Sequence, residues 1–389
     1  MSQLSQSGQK LHTTVLIIPT GIGAAIGGYA GDALPVARPL ASVTDRLITH
    51  PTVLSGARLY WTMQNAYYVE GYGLDQFAAG RWQLSPVHQN SIGIVIDQAV
   101  EDDLRWRHLQ AADAARATLG LDVKAHVVTD IPLGVSLQTS ESGASWGTLE
   151  HPGSLLRAAE RLINEAQVNA IAIIARFPED EDTEALDAYR QGQGVDLLAG
   201  AEAVISHLVV RTFKLPCAHA PALSPLPLDP QISPRSAAEE IGYTFLSCVL
   251  AGLSRAPQFI ENNELEMPGA IRIGDVDAVI VPETAFGGSA VMSLAQSAAQ
   301  VIAVKENTTA MAVRPEDLGI NAITVNTYLE AVGAIAAYTA GVAHSSLLPK
   351  IPSIPQLPDK LTASEILTDA PPISTRLGAE TFGKQSGIS

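Results

Sequence analysis

A series of short, unbroken apolar runs constrains this chain most. They are residues 14–18 (TVLII), 92–96 (IGIVI), 125–128 (AHVV), 170–175 (AIAIIA), 278–281 (AVIV), 301–304 (VIAV) and 322–325 (AITV). Each ends in a polar or glycine-rich loop. A strand that is apolar on both alternating faces must be covered on both, which is the condition of a parallel sheet between helix layers. Helical patterns lie between many of the runs, at 100–119, 153–166, 196–211, 288–299 and 327–342. The alternation predicts an α/β fold, a mostly parallel sheet flanked by helices, with room for two α/β lobes around a cleft.

Residues 213–235 (FKLPCAHAPALSPLPLDPQISPR) are dense in proline, which excludes regular helix and a central strand. A boundary is placed there. Residues 12–212 are expected to form an N-terminal α/β lobe, 213–235 a proline-rich crossing, and 236–345 a C-terminal α/β lobe. Residues 346–389 read as an extended tail that docks on the body or on a neighbouring subunit, which makes a homo-oligomer an expected partner state.

The 40 acidic against 24 basic residues leave a net charge of −16. Nucleic acid is excluded as a partner, because a phosphate backbone needs a basic surface. A small anionic metabolite is still allowed, since a few cations in a cleft can dominate locally. Two cysteines, Cys217 and Cys248, rule out a disulfide framework or a Cys-rich zinc motif. The polar N-terminus has no signal-peptide pattern, no membrane association is expected, and the chain is taken as cytoplasmic.

Ligands of parallel α/β sheets bind beyond the carboxyl ends of the strands. There the sequence places Thr20 and Gly21, Asp97, Asp130, Arg176, Glu283, and Lys305, Glu306 and Asn307. The stretch 277–296 runs from a buried strand through Glu283 and Thr284 to Gly287, Gly288 and Ser289, then a helix. Glycines admit close backbone approach and a helix start offers free N–H groups, so this reads as an anion-binding turn or as a tight turn capped by Ser289. Lys305 suits anion neutralisation, with Glu283 or Glu306 as general base. His219, held in the proline-rich stretch two residues from Cys217, is a candidate acid. The cofactor stays unknown from the sequence, and no dinucleotide, zinc-protease or hydrolase signature is complete.

The stretch 17-IIPTGIGAAIGGYAGDALP-35 admits three readings: a phosphate-cradling loop, a membrane helix, or a helix with a close-packed glycine face. Gly21, Gly23 and Gly27 give G-x-G-x-x-x-G, one residue longer than the dinucleotide fingerprint, and no second strand ending in an acid is seen. Pro19 and the Gly/Ala composition speak against a membrane span. Gly23, Gly27 and Gly31 are spaced four apart. The expectation is a strand, a turn at Thr20–Gly21, and then a helix whose first N–H groups face the rim. His50 is expected to cap the C-terminus of a helix.

The strings IPTGIGAAIGGYAGDALPVARPLA, LITHPTVLSGA, SGASWGTLEHPGSLLRAA, QGQGVDLLAGAEAVISHLVVRTFKLPCAHAPAL and GYTFLSCVLAGLSRAPQF together resemble an uncharacterised domain-of-unknown-function family of photosynthetic bacteria and plant plastids, over residues 12–345. The resemblance implies a cytosolic or stromal role and assigns no activity and no catalytic residue. From the two glycine-rich loops and the strand-end charges, the functional expectation is an enzyme acting on a phosphorylated or carboxylated metabolite by group transfer or lyase chemistry. Glu283, Lys305, Glu306 and His219 would be its catalytic residues. Thr20, Gly21, Gly23, Asp130, Arg176, Gly287, Gly288, Ser289 and Asn307 would bind the ligand. The alternatives are a non-catalytic metabolite-binding or assembly protein, and a metal-dependent hydrolase using Asp130, His207 and His219.

Overall fold

The computed structural model describes residues 10–55, 61–179, 183–240, 246–262 and 267–356. The chain opens with β1 (Thr13–Leu16), α1 (Leu34–Ser42), β2 (Arg46–Thr49), α2 (Pro51–Leu54), β3 (Ala66–Tyr68) and α3 (Gly71–Ala78). Next come β4 (Trp82–Ser85), β5 (Ile92–Ile96), α4 (Asp102–Leu119), β6 (Val123–Val128), β7 (Val135–Thr139) and β8 (Ser145–Leu149). Then follow α5 (Pro152–Ala166), β9 (Ala170–Arg176), α6 (Thr183–Arg190), α7 (Ala199–Phe213) and β10 (Cys217–Ala222). After α8 (Pro234–Ala238), α9 (Leu246–Leu253) and β11 (Gln258–Glu261), the chain adds β12 (Val276–Pro282), α10 (Ser289–Ala295), β13 (Gln300–Val304), β14 (Ile323–Val325) and α11 (Tyr328–Thr339).

The expected α/β architecture is present. A six-stranded sheet has the order β14-β13-β12-β1-β2-β3, with every pair parallel. Counted by its own strands from β3, this is 3-2-1-4-5-6, the order of the doubly wound dinucleotide-binding sheet. A four-stranded parallel sheet has the order β10-β9-β5-β6, and its strands all fall between β3 and β12 in sequence. The large sheet is thus closed from both ends of the chain, and the small sheet is carried within its central crossover. Two antiparallel pairs, β4 with β11 and β7 with β8, complete the pairing.

Alternation along β1 and β12 explains why both strands are wholly buried. Leu16, Ala278 and Ile280 face α1 and α11 through Leu40, Tyr328 and Ile335. Val15, Val279 and Val281 face α3 and α10 through Phe77, Val291 and Leu294. In the small sheet, Ile94 and Ile174 pack towards α4 and α9, and Ile173 and Val95 towards α5 and α7. A fully buried Ile or Leu side chain contributes roughly 1.5–3 kcal/mol, so these double-sided strands dominate the stability of each sheet.

Three local expectations are corrected. Residues 22–31 form no helix: Gly21, Gly23, Gly27 and Gly31 have φ of 69°, 61°, 88° and 81°, and regular helix starts only at Leu34. Left-handed backbone at four-residue spacing makes a chain of turns, which no helix face can accommodate. Residues 46–49 are the strand β2, so His50 precedes α2 instead of ending a helix. The proline-rich stretch holds β10, with Pro221 inside it. The prolines are tolerated because β10 is an edge strand.

The described residues up to 344 belong to one compact unit, and those after 344 to a second. Of the second, 345–356 are described, and they join the short 3-10 turn His344–Leu347. Most of the expected docking tail lies outside the described residues.

Candidate functional site

A doubly wound sheet binds ligands where its strand order reverses. In the large sheet that point lies between β1 and β12, so the loop after β1 and Glu283 after β12 flank it. In the small sheet it lies between β5 and β9, beside Asp97 and Arg176.

The loop after β1 is held by its backbone. Ser145 N–H donates to Gly21 O (2.9 Å), Ala310 N–H to Ile22 O (2.8 Å) and Ala25 N–H to Thr308 O (2.9 Å). Asn307 clamps Ile26, accepting from its N–H and donating to its C=O, both at 2.8 Å. Between these anchors, the N–H groups from Thr20 to Ala24 have no acceptor among the described residues. Gly21, Ile22 and Ala24 are buried. A buried unpaired N–H costs about 1–3 kcal/mol, so a run of them is stable only when a ligand or solvent reaches it. Left-handed glycines at 21 and 23, either side of Ile22, favour a concave array of donors suited to an anion.

The roof over this loop comes from the segment between β3 and β12. An added Cβ on Gly21 would stand 2.5 Å from Ser145 Oγ and 3.4 Å from Ala199 Cβ; one on Gly23 would stand 2.9 Å from Gly194 O. The N-terminus of α7 therefore abuts the loop. Asp196 accepts from Leu198 N–H (2.9 Å) and Ser145 Oγ accepts from Gly200 N–H (3.2 Å).

Carboxyl groups collect behind the roof. Glu239 accepts from Ala30 N–H (2.9 Å) and from Tyr189 O–H (2.8 Å). The Tyr189 ring stacks on Tyr29 at 4.4 Å. Asp32 is paired with Arg235 at 2.6 Å. Burial, with Glu202 and Asp32 adding repulsion, raises Glu239 to about 7, and burial next to Glu239 and Glu202 holds Asp196 well above the usual carboxylate range. Glu239, close to the glycine loop through Ala30, thus holds its proton up to about neutral pH, the condition for a general acid.

The predicted residues separate into distinct places. Thr20, Gly21, Gly23, Glu283, Lys305 and Asn307 share the large rim, but the amide of Asn307 is fully used on Ile26 and Tyr328 Oη. Glu306 accepts from Tyr328 N–H at 2.7 Å, fixing the start of α11. Gly287, Gly288 and Ser289 are exposed, and the Ala290 backbone in α10 favours the ionised form of the Asp75 carboxyl, so a carboxyl of the protein already stands near the start of α10.

Arg176 and Asp130 belong to the small rim. Arg176 is neutralised by Glu101 (2.9 Å) and Glu179 (2.5 Å), and Asp130 is taken by Ser154 and Arg157. His219 sits on β10 with Nδ1 3.3 Å from Ser206 Oγ and Nε2 3.4 Å from Glu202. His207 lies 3.0 Å from Glu70. Asp130, His207 and His219 each answer to different partners, and among the described residues no cluster of three or more His, Cys, Asp or Glu is placed to hold a metal.

The sequence reading did not single out Asp196, Tyr189 or Glu239 as site residues. The signal for Asp196 was its place in QGQGVD; Glu239 is brought in by a contact across 209 residues.

The family described as "Protein of unknown function (DUF3326)" matches residues 13–348. A protein of Synechococcus sp. named an uncharacterized lipoprotein is 60% identical over 337 residues, covering 87% of this chain and 93% of its own length. The crystal structure of TTHA1606 from Thermus thermophilus aligns at 15% identity over 57% of this chain and 86% of that chain, with a TM-score of 0.10, too slight a likeness to carry an argument.

Proposed function

From the premise that the chain belongs to this family of unknown function, we propose that it is an enzyme that binds a small phosphorylated or carboxylated metabolite at the loop after β1. The observation that carries the reading is the run of N–H groups from Thr20 to Ala24, without acceptors among the described residues, at the reversal point of the large sheet. In this reading the loop holds the anion and Lys305 adds positive charge. Glu283 is the base, and Asp196 or Glu239 supplies the proton.

A dinucleotide fits this geometry poorly. The residue after β2 is His50, whose Nε2 accepts from Ile18 N–H (3.1 Å), where a ribose-binding acid would stand. The Gly23–Gly194 approach also closes the loop from above. Group-transfer or lyase chemistry on a compact substrate is favoured for that reason.

The test is equilibrium binding of inorganic phosphate and of small phosphorylated and carboxylated metabolites, followed by turnover. The binding assigned to the loop should be lost in Gly21→Ala, read as one saturable site fewer than in the wild type, while the circular dichroism spectrum is kept. Glu283→Gln should bind and not turn over. Equal binding by wild type and Gly21→Ala would remove the loop from the reading.

No helix among the described residues is long and apolar enough to cross a membrane. We take the protein as cytoplasmic. The relative's name favours a second reading, a lipid-anchored protein at a membrane surface, and fractionation of cells into cytosol and membranes separates the two.

A further inference from the structure

A cavity of about 260 Å³ lies beside β3, the edge strand of the large sheet. Met63, Ala66, Pro86 and Val87 supply its apolar lining, and Gln64, Tyr67, His88 and Arg255 its polar lining. A larger cavity of about 380 Å³ lies at the rim of the small sheet, but its charges are already spent: Arg176 is bound to Glu179, and Asp97 accepts three backbone N–H groups. The smaller cavity differs in kind. Among the described residues Arg255 is its one arginine or lysine, and the side chains of Arg255, Gln64 and His88 have no partner there. Among the described residues no carboxylate lines it, in a chain of net charge −16.

Its walls are fixed by two asparagines. Asn90 N–H donates to Ser254 O (2.7 Å), and its side chain donates to Leu253 O (2.7 Å) and Ala256 O (2.8 Å). Gln258 Nε2 donates to Asn90 Oδ1 at 2.8 Å. The backbone on both sides of Arg255 is therefore tied to the 86–90 loop, while its guanidinium has no partner among the described residues. Asn65 pins the opposite wall, donating to Ala41 O (2.8 Å) and Thr44 O (2.9 Å). Arg255, Gln64 and His88 are exposed over these held walls, and a guanidinium fork matches a carboxylate or phosphate with two parallel hydrogen bonds.

We propose that this cavity is a second binding site, separate from the glycine loop, for a small oxyanion: a carboxylate or phosphate group on a compact apolar body. Arg255 binds the anionic group, Gln64, His88 and Tyr67 donate to it, and Met63, Ala66, Pro86 and Val87 receive the apolar part.

The test is a titration of the full chain with inorganic phosphate and with butyrate, read at a fluorotyrosine resonance of Tyr67 assigned by its loss in Tyr67→Phe. A saturable shift is expected, with Arg255→Gln weakening it at least about tenfold and Gly21→Ala leaving it unchanged. Tighter binding of butyrate assigns a carboxylate ligand with an apolar tail; tighter binding of phosphate assigns a phosphorylated one. No saturable shift with either probe, or equal affinity in Arg255→Gln, overturns the proposal. Loss of phosphate binding in Gly21→Ala at the other site, with the Tyr67 signal intact, separates the two readings.

Discussion

At the rim of the small sheet, Asp97, Asp130 and Arg176 each have intramolecular partners; at the rim of the large sheet, the N–H groups of Thr20 to Ala24 have none among the described residues. Both rims sit at the reversal point of a doubly wound order, so topology alone makes both eligible. The difference lies in what the loops do with their polar groups. Asp97 uses its carboxylate to join three segments, accepting from Ala99 (3.1 Å), Leu133 (3.0 Å) and Arg176 (3.2 Å) N–H groups. That is the work of a structural knot. The glycine loop is held through its carbonyls while its N–H groups from Thr20 to Ala24 find no acceptor among the described residues, the pattern on which the proposed site rests.

If this contrast is right, the largest effect of any single substitution at the rims belongs to Asp97→Ala. It would leave three N–H groups without their acceptor and cost about 3–5 kcal/mol. Urea denaturation checks this, and a loss under about 1 kcal/mol would mean water replaces the carboxylate and the small rim is more open than it looks.

The next largest effect is a pH dependence from the large rim. His50 is buried and held neutral, its pKa lowered to about 4 by desolvation. The unfolded chain therefore binds the proton more readily between about pH 6.5 and 4. Stability from this group is complete above the unfolded value and falls as the pH drops through that window, by roughly 3 kcal/mol in all. Glu239, raised to about 7, contributes with the opposite sign: the folded chain holds its proton more tightly, so stability falls as the pH rises from about 4.5 to 7. His50→Gln should flatten the acid limb of the stability profile and leave the neutral limb. An unchanged acid limb would point to other groups.

A smaller loss is expected for Gly21→Ala. A left-handed φ of 69° costs a residue with a Cβ roughly 1–2 kcal/mol, and Ser145 Oγ must move aside. Anion binding should suffer more than stability, which thermal melts with and without phosphate would show. A melt shifted equally in both would make the glycine structural only.

The fold was legible because burial on both strand faces writes continuous apolar runs, and 92–96, 170–175, 278–281 and 301–304 all appear as strands. Two things were not legible. Four-residue glycine spacing fits a helix face and a chain of left-handed turns equally well, and only the contacts with Gly194, Ser145 and Ala310 decide between them. Strand-end charges were read one at a time as ligands, because the sequence does not show that Arg176 will meet Glu101 across 75 residues. For the same reason Glu239 carried no signal: its role depends on Ala30 and Tyr189, brought to it by the crossover between the sheets.

The smallest effect tests whether charge or shape closes the small rim. Arg176 bears two ion pairs, and their carboxylates are partly exposed, Glu101 at 51% and Glu179 at 31%. Screening limits such pairs to about 1 kcal/mol or less each. Glu101→Gln with Glu179→Gln should therefore shift stability little, and the amide oxygen at 179 can still accept from Ser224 N–H (2.6 Å). The consequence for binding is larger. The guanidinium would then face a cavity of about 380 Å³ with its charge uncompensated. The double variant should gain phosphate binding that Arg176→Met removes again. If it gains none, the loops around Asp97 exclude the anion by shape, and the two rims differ in their backbones rather than in how their charges are paired.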